Sequence, residues 1–112
     1  MILVSIRMTV NPEQRDEFLQ IIRGVLGPTR AERTCTHCKC YEDIENKNTF
    51  IYIEEWQTKP GFNRHISSEI FRNILAAIDM SCEPPEINFN TVSRTEGLET
   101  VAAVRGEHSI KH

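Results

Sequence analysis

Tyr52, Glu54 and Trp56 alternate within one apolar run, and alternate residues of a strand share a face. Together they make a flat aromatic wall carrying one carboxylate, a surface suited to a planar organic compound. An aromatic core cluster would have the same spacing. His65 follows between Phe62 and Ile66, at the i, i+3, i+4 spacing of the inward side of a short helix. An imidazole there, with a pKa near neutrality, can act as a base or as a hydrogen-bond partner to a ligand held between helix and sheet. A core histidine bonded to a backbone carbonyl would occupy the same position. The densest cluster is Cys35-Thr-His37-Cys38-Lys-Cys40, and thiolates with imidazole suit zinc. On a strand, however, Cys38 and Cys40 face away from Cys35 and His37, and no second Cys/His pair follows. Small, half-buried core cysteines are therefore expected, with no metal. The late Cys82 reads as packing, and His108 and His112 as solvated tail residues.

These residues need elements to position them. Ile2, Val4, Ile6 and Met8 alternate with Leu3, Ser5 and Arg7, predicting a first strand. Asn11-Pro12 with Gln14 predicts a capped helix start. The stripe Phe18, Leu19, Ile22, Val25 and Leu26 is the helix's buried face, and Gly27-Pro28 its stop. A polar connector follows over 29–34. Residues 35–45 and 49–57 read as an antiparallel hairpin about Glu45-Asn46-Lys47-Asn48. If 44 and 49 flank the turn, Tyr41 faces Tyr52, Lys39 faces Glu54 and His37 faces Trp56, with Cys38 and Cys40 on the other face beside Ile51 and Ile53. A one-residue bulge would change that register. Thr58 caps a helix over 59–66. Ser67-Ser68 re-caps a second over 68–80, with Ile70, Phe71, Ile74, Leu75 and Ile78 inward, and Pro84-Pro85 stops it. A last strand spans 86–95, and the tail from Glu96 holds a weak turn of helix before a frayed end.

The order β-α-β-β-α-β is the split arrangement of ferredoxin-like α+β folds, an antiparallel sheet with helices on one face. Strands one and three are apolar on both sides, so the other face also needs cover. The chain has 112 residues, enough for one domain whose folding buries roughly two-thirds of its surface. That leaves little to cover a second sheet face, and a homodimer packed sheet to sheet is expected. The expected division is a domain over 1–95 and a tail over 96–112.

Lys and Arg number 13 against 16 Asp and Glu, a net charge of -3, and no basic block offers nucleic acid or anionic lipid a footprint. No apolar run approaches the roughly 20 residues of a membrane span. The start Met1-Ile-Leu-Val-Ser-Ile-Arg7 lacks a basic leader, so a cytoplasmic protein with reduced thiols is expected. There is no glycine-rich phosphate loop, nucleophile elbow or dinucleotide fingerprint, so phosphate and flavin cofactors have no visible seat.

The run Ile53-Glu54-Glu55-Trp56-Gln-Thr-Lys-Pro-Gly-Phe62-Asn-Arg-His65-Ile66-Ser67-Ser68-Glu69-Ile70-Phe71 resembles the signature of antibiotic biosynthesis monooxygenase domains. There a Glu-x-Trp ends a strand and a histidine follows on the next helix. The likeness extends over about 2–95. It implies a dimeric α+β barrel with a pocket between sheet and helices, and relatives that oxidise quinols and polyketides with molecular oxygen, without flavin, haem or metal. The protein's task would be to bind a phenolic or quinol substrate, promote its deprotonation and exclude water. By this likeness His65 is the base or polar anchor, Trp56 a wall or donor and Glu54 their orienting group, while Tyr41, Tyr52, Phe62 and Phe71 line the substrate. The haem-degrading branch uses a first-strand asparagine, where this chain has Ser5 and Arg7, which disfavours haem. A non-catalytic binding module, or an isomerase or degradative enzyme for a small carbonyl compound, would fit the same scaffold.

Overall fold

Alternation makes β1 (Ile2–Thr9), buried at every second residue, the inward side chains Val4 and Ile6 being wholly enclosed. The structure is a computed structural model, and it describes residues 1–106. A 3-10 turn at Pro12–Gln14 leads into α1 (Arg15–Arg30). The hairpin β2 (Cys35–Asp43) and β3 (Asn46–Trp56) follows, then α2 (Lys59–Ile66), α3 (Glu69–Asp79), β4 (Glu86–Thr91) and α4 (Leu98–Arg105). The four strands form one antiparallel sheet in the order β2-β3-β1-β4, the ferredoxin-like arrangement. α1 packs on α3 and β2. Phe18, Ile22, Val25, Phe71, Ile74 and Ala77 from these helices meet Val4, Ile6 and Met8 in the core.

Local signals place the two short helices as expected. The Thr58 side chain accepts from the Gly61 amide at 3.1 Å and starts α2, and Ser68 accepts from Phe71 at 3.3 Å and starts α3. Elsewhere the structure corrects the sequence expectations. Asn11 makes no side-chain cap, and its carbonyl accepts from the Gln14 amide instead, so helix entry is a 3-10 turn. Pro28 does not stop α1, which continues to Arg30. Gly24, Gly27 and Pro28 are all exposed, so the amide that Pro28 lacks is missing on the solvent side of the helix, while Val25 and Thr29 stay packed inside. Leu75 lies on the outer side of α3, 49% exposed. The last strand ends at Thr91 rather than 95. The tail forms a two-turn helix, closed by Gly106 at φ 71, the left-handed conformation glycine tolerates. His108 and His112 lie outside the described residues.

The largest correction is the hairpin register. The turn is the two residues Ile44 and Glu45, held by the Asp43 carboxylate accepting from the Glu45 amide at 2.8 Å. The Asn46 side chain accepts from the Asn48 amide at 3.2 Å. A register shift between Glu42 and Asp43, with three more residues on β3 than on β2, then pairs Tyr41 with Ile51, Cys40 with Tyr52, Lys39 with Ile53 and Cys38 with Glu54. A one-residue change of register turns every β2 side chain to the opposite face. Cys38 moves to the helix side, 2% exposed, and the expected Lys39–Glu54 and Tyr41–Tyr52 pairs do not form. A shift between Cys35 and His37 then brings Cys35 opposite Trp56. Leu3, Ile51 and Ile53 lie half-buried on the face away from the helices.

Candidate active site

β3 supplies the frame. Its alternation points Tyr52, Glu54 and Trp56 at the helices, and all three are completely buried. Trp56 Nε1 donates to Glu54 Oε1 at 2.9 Å, and the Tyr52 hydroxyl donates to Glu54 Oε2. From α2, the enclosed His65 brings Nε2 to the same Oε2 at 2.8 Å. Its other ring nitrogen, Nδ1, meets Glu32 Oε2 at 2.7 Å. Glu32 sits in the connector after α1, its side chain 29% exposed. The imidazole is flanked by the Trp56 ring at 4.7 Å and by the edge-on Phe71 ring at 5.6 Å.

A glutamate side chain at each ring nitrogen favours the protonated form of His65, in which both nitrogens carry an N–H to donate. Burial pulls its pKa down, but the carboxylates of Glu54 and Glu32 outweigh burial and the net shift is upward from 6.5. Burial, reinforced by the Glu54 charge, raises the Tyr52 pKa, so its phenol stays a neutral donor. With that proton committed to Glu54, the tyrosine oxygen is the acceptor for the Cys38 thiol, whose sulfur lies 3.3 Å away. Burial pushes the Cys38 thiol up to about 12 and the Cys40 thiol up to about 11. Both remain protonated at neutral pH, and neither has the character of a nucleophile. Among the described residues no three His, Cys, Asp or Glu side chains gather as an ion's ligand set.

Beside this network lies a cleft of about 500 Å³ lined by Phe62, Asn63, Ile66, Ser67, Phe71 and Phe89. Phe89 comes from β4 and meets Phe62 with ring centres 5.4 Å apart. Phe71 belongs to both places, forming a wall of the cleft and touching the His65 ring. Of the residues singled out in the sequence, Tyr52, Glu54, Trp56 and His65 thus meet in one buried network, and Phe62 and Phe71 line the adjoining cleft. Tyr41 joins neither. It lies on the opposite sheet face, 45% exposed, its hydroxyl 3.4 Å from His37 Nε2, because the hairpin register shifts between Glu42 and Asp43. Sequence reasoning missed Glu32, Cys38 and Phe89. An isolated acid in a polar connector carries no local signal for Glu32. Phe89 was marked only by its alternation with Asn88 and Asn90.

α2 is held close by a glycine. A Cβ on Gly61 would lie 1.9 Å from Thr34 Oγ1 and 3.0 Å from Thr34 Cβ. Gly61→Ala is expected to destabilise by about 1–3 kcal/mol, read as a lower urea midpoint, with part of the loss recovered by adding Thr34→Ala.

The sheet order β2-β3-β1-β4 with its packed helices defines a ferredoxin-like α+β protein, with an acid–histidine network beside an apolar cleft. The pattern of the family described as "Antibiotic biosynthesis monooxygenase" matches residues 1–77, and the chain belongs to that family. It is 26% identical over 98 residues to "Uncharacterized protein sll1783" of Synechocystis, spanning 87% of this chain and 67% of that one. To "Putative monooxygenase YcnE" of Bacillus subtilis it is 28% identical, over 68% of this chain and 80% of the relative. SnoaB of Streptomyces nogalater, described as a cofactor-independent oxygenase, shares the fold with a TM-score of 0.70 at 16% identity, covering 84% of this chain and 94% of that one.

Proposed function

We propose that the protein is a cytoplasmic, cofactor-independent monooxygenase that oxidises a small aromatic, phenolic or quinol-type compound with molecular oxygen. The observation that carries this proposal is the His65 ring, held at both nitrogens by Glu54 and Glu32, directly behind the Phe71 wall of an apolar cleft. A planar substrate stacks among Phe62, Phe71 and Phe89, and Asn63 and Ser67 offer its oxygens hydrogen bonds. The His65 charge, in a setting of low dielectric, stabilises the phenolate as it forms. A ring engaged at both nitrogens by Glu54 and Glu32 has no lone pair to offer the substrate, so His65 serves as polar anchor and not as the base. Glu54 orients both His65 and Trp56. The electron-rich anion reduces oxygen. In the net reaction of a hydroquinone, one ring C–H becomes C–OH and the two existing phenols become the quinone carbonyls; one atom of O₂ is retained as the new hydroxyl, the other leaves as water, and all four electrons come from the substrate. The protein is proposed to act as a homodimer joined through the Leu3, Ile51 and Ile53 face, and light scattering reads this as twice the chain mass.

Oxygen uptake with a panel of hydroquinones in chelator-treated buffer tests the activity. Consumption matched by oxidised product is expected, and His65→Ala, verified as folded, should lose at least about a hundredfold of the rate. A non-catalytic binding module is the second function considered, favoured by the saturation of every polar atom of His65 within the protein. Tight binding of quinols without oxygen uptake would establish that function and overturn the first.

A further inference from the structure

On the far side of α2 from the apolar cleft lies a second one, of about 460 Å³, lined by Arg33, Thr34, Thr58, Pro60, Gly61 and Arg64. Its lining holds two guanidinium groups and no acid. Among the described residues neither Arg33 nor Arg64 has an ion-pair partner. The acid next in sequence to Arg33 is unavailable, because the Glu32 carboxylate turns inward to His65 at 2.7 Å. Two hydroxyl protons are also unspent. Thr58 Oγ1 only accepts, from the Gly61 amide at 3.1 Å, and Thr34 Oγ1 has no hydrogen bond among the described residues. The bare Cα of Gly61 lets Thr34 approach to form the floor. Two like charges facing one concavity repel until an anion lies between them, and guanidinium forks match the paired oxygens of carboxylate and phosphate groups.

We propose that this cleft is a binding site for a small multivalent oxyanion, a phosphate ester or a dicarboxylate, gripped by Arg33 and Arg64 and hydrogen-bonded by the hydroxyls of Thr34 and Thr58. With a net charge of -3 and two arginines lining the cleft, the surface suits a compact anion and not a polyanion such as nucleic acid. The site is separate from the phenylalanine cleft. It also shares the dipeptides Glu32-Arg33 and Arg64-His65 with the buried network, so its occupant sits one residue from both partners of the Glu32–His65 ion pair.

Calorimetric titration of the full chain with inorganic phosphate and with malonate, at ionic strength fixed with sodium chloride, tests the proposal without any turnover. Failure here is thereby separable from failure of the oxygenase assay. Saturable binding of one equivalent is expected for at least one anion. Preference for phosphate would assign a phosphate ester, and preference for malonate a dicarboxylate. Arg33→Gln and Arg64→Gln should each weaken binding about tenfold or more, while Arg23→Gln on α1 should not. The proposal is overturned if neither anion gives heat beyond that of chloride, or if binding is indifferent to both cleft arginines.

Discussion

Glu54→Ala is expected to cost the fold about 3–5 kcal/mol, the range for removing one partner of a buried charge pair. The carboxylate accepts from Tyr52, Trp56 and His65 at once. Its loss leaves three enclosed donors without an acceptor and an imidazolium paired only at Glu32. Glu54→Gln keeps an amide oxygen for one or two donors but removes the charge, so about 1.5–3 kcal/mol is expected. Urea unfolding followed by the fluorescence of Trp56, the single tryptophan, reads both, because that ring loses its burial on unfolding. A buried ion pair is weak evidence for net stability when both members are replaced. The double variant Glu54→Leu with His65→Leu is therefore expected to be more stable than Glu54→Ala. A Glu54→Ala protein within about 0.5 kcal/mol of the parent, the scale of an ordinary surface change, would mean that the network contributes almost nothing.

The second large effect is a decline of stability with rising pH that belongs to His65. Its folded pKa lies above the 6.5 of the free side chain, so the native state holds a proton that the unfolded chain releases. The contribution is fully present below 6.5 and is lost as pH rises through the folded value. The slope approaches about 1.4 kcal/mol per pH unit inside that window. The groups facing the ring are Glu54 from β3 and Glu32 from the connector, both favouring the proton, with Trp56 and Phe71 on its faces. Above about pH 9 the raised thiol of Cys38 adds a decline of the same sign, so the histidine is best isolated between 6.5 and 9. Unfolding free energies across that range should fall in the parent, less steeply in Glu32→Gln, and stay nearly level in His65→Gln. A level parent would show that the ring is neutral in the native state.

The features legible in the sequence are those whose determinants lie within a few residues of one another. The alternation of β1 and β3, the Thr58 and Ser68 caps and the spacing that turns His65 inward are all local, and the order of elements follows from them. The face assignment of β3 survived for the same reason, bringing Tyr52, Glu54 and Trp56 together. What depended on distant partners did not. Pro28 reads as a stop by itself, yet packing of Val25 and Thr29 on either side carries α1 past it. Glu32 looks like any polar connector residue until α2 folds over it. The positions of Tyr41 and Cys38 hang on where a strand pair begins counting, and an irregularity between Glu42 and Asp43, just below the tip held by the Asp43 and Asn46 side chains, settles that.

The hairpin end, the two-residue turn at Ile44 and Glu45 together with the register shift between Glu42 and Asp43, therefore acts as a parity switch for the interior. Ile44 is itself fully solvent-exposed and touches nothing in the core, yet the number of residues spent there decides whether thiols or the Lys39 amine and Tyr41 phenol face the glutamate row. A chain with one more tip residue would have the same composition in its strands and a basic, hydroxylated chamber in place of a sulfur-lined one. Loop length at an outlying surface point is thus a chemical variable of the buried site, and relatives that differ there by an odd count should differ in what they hold.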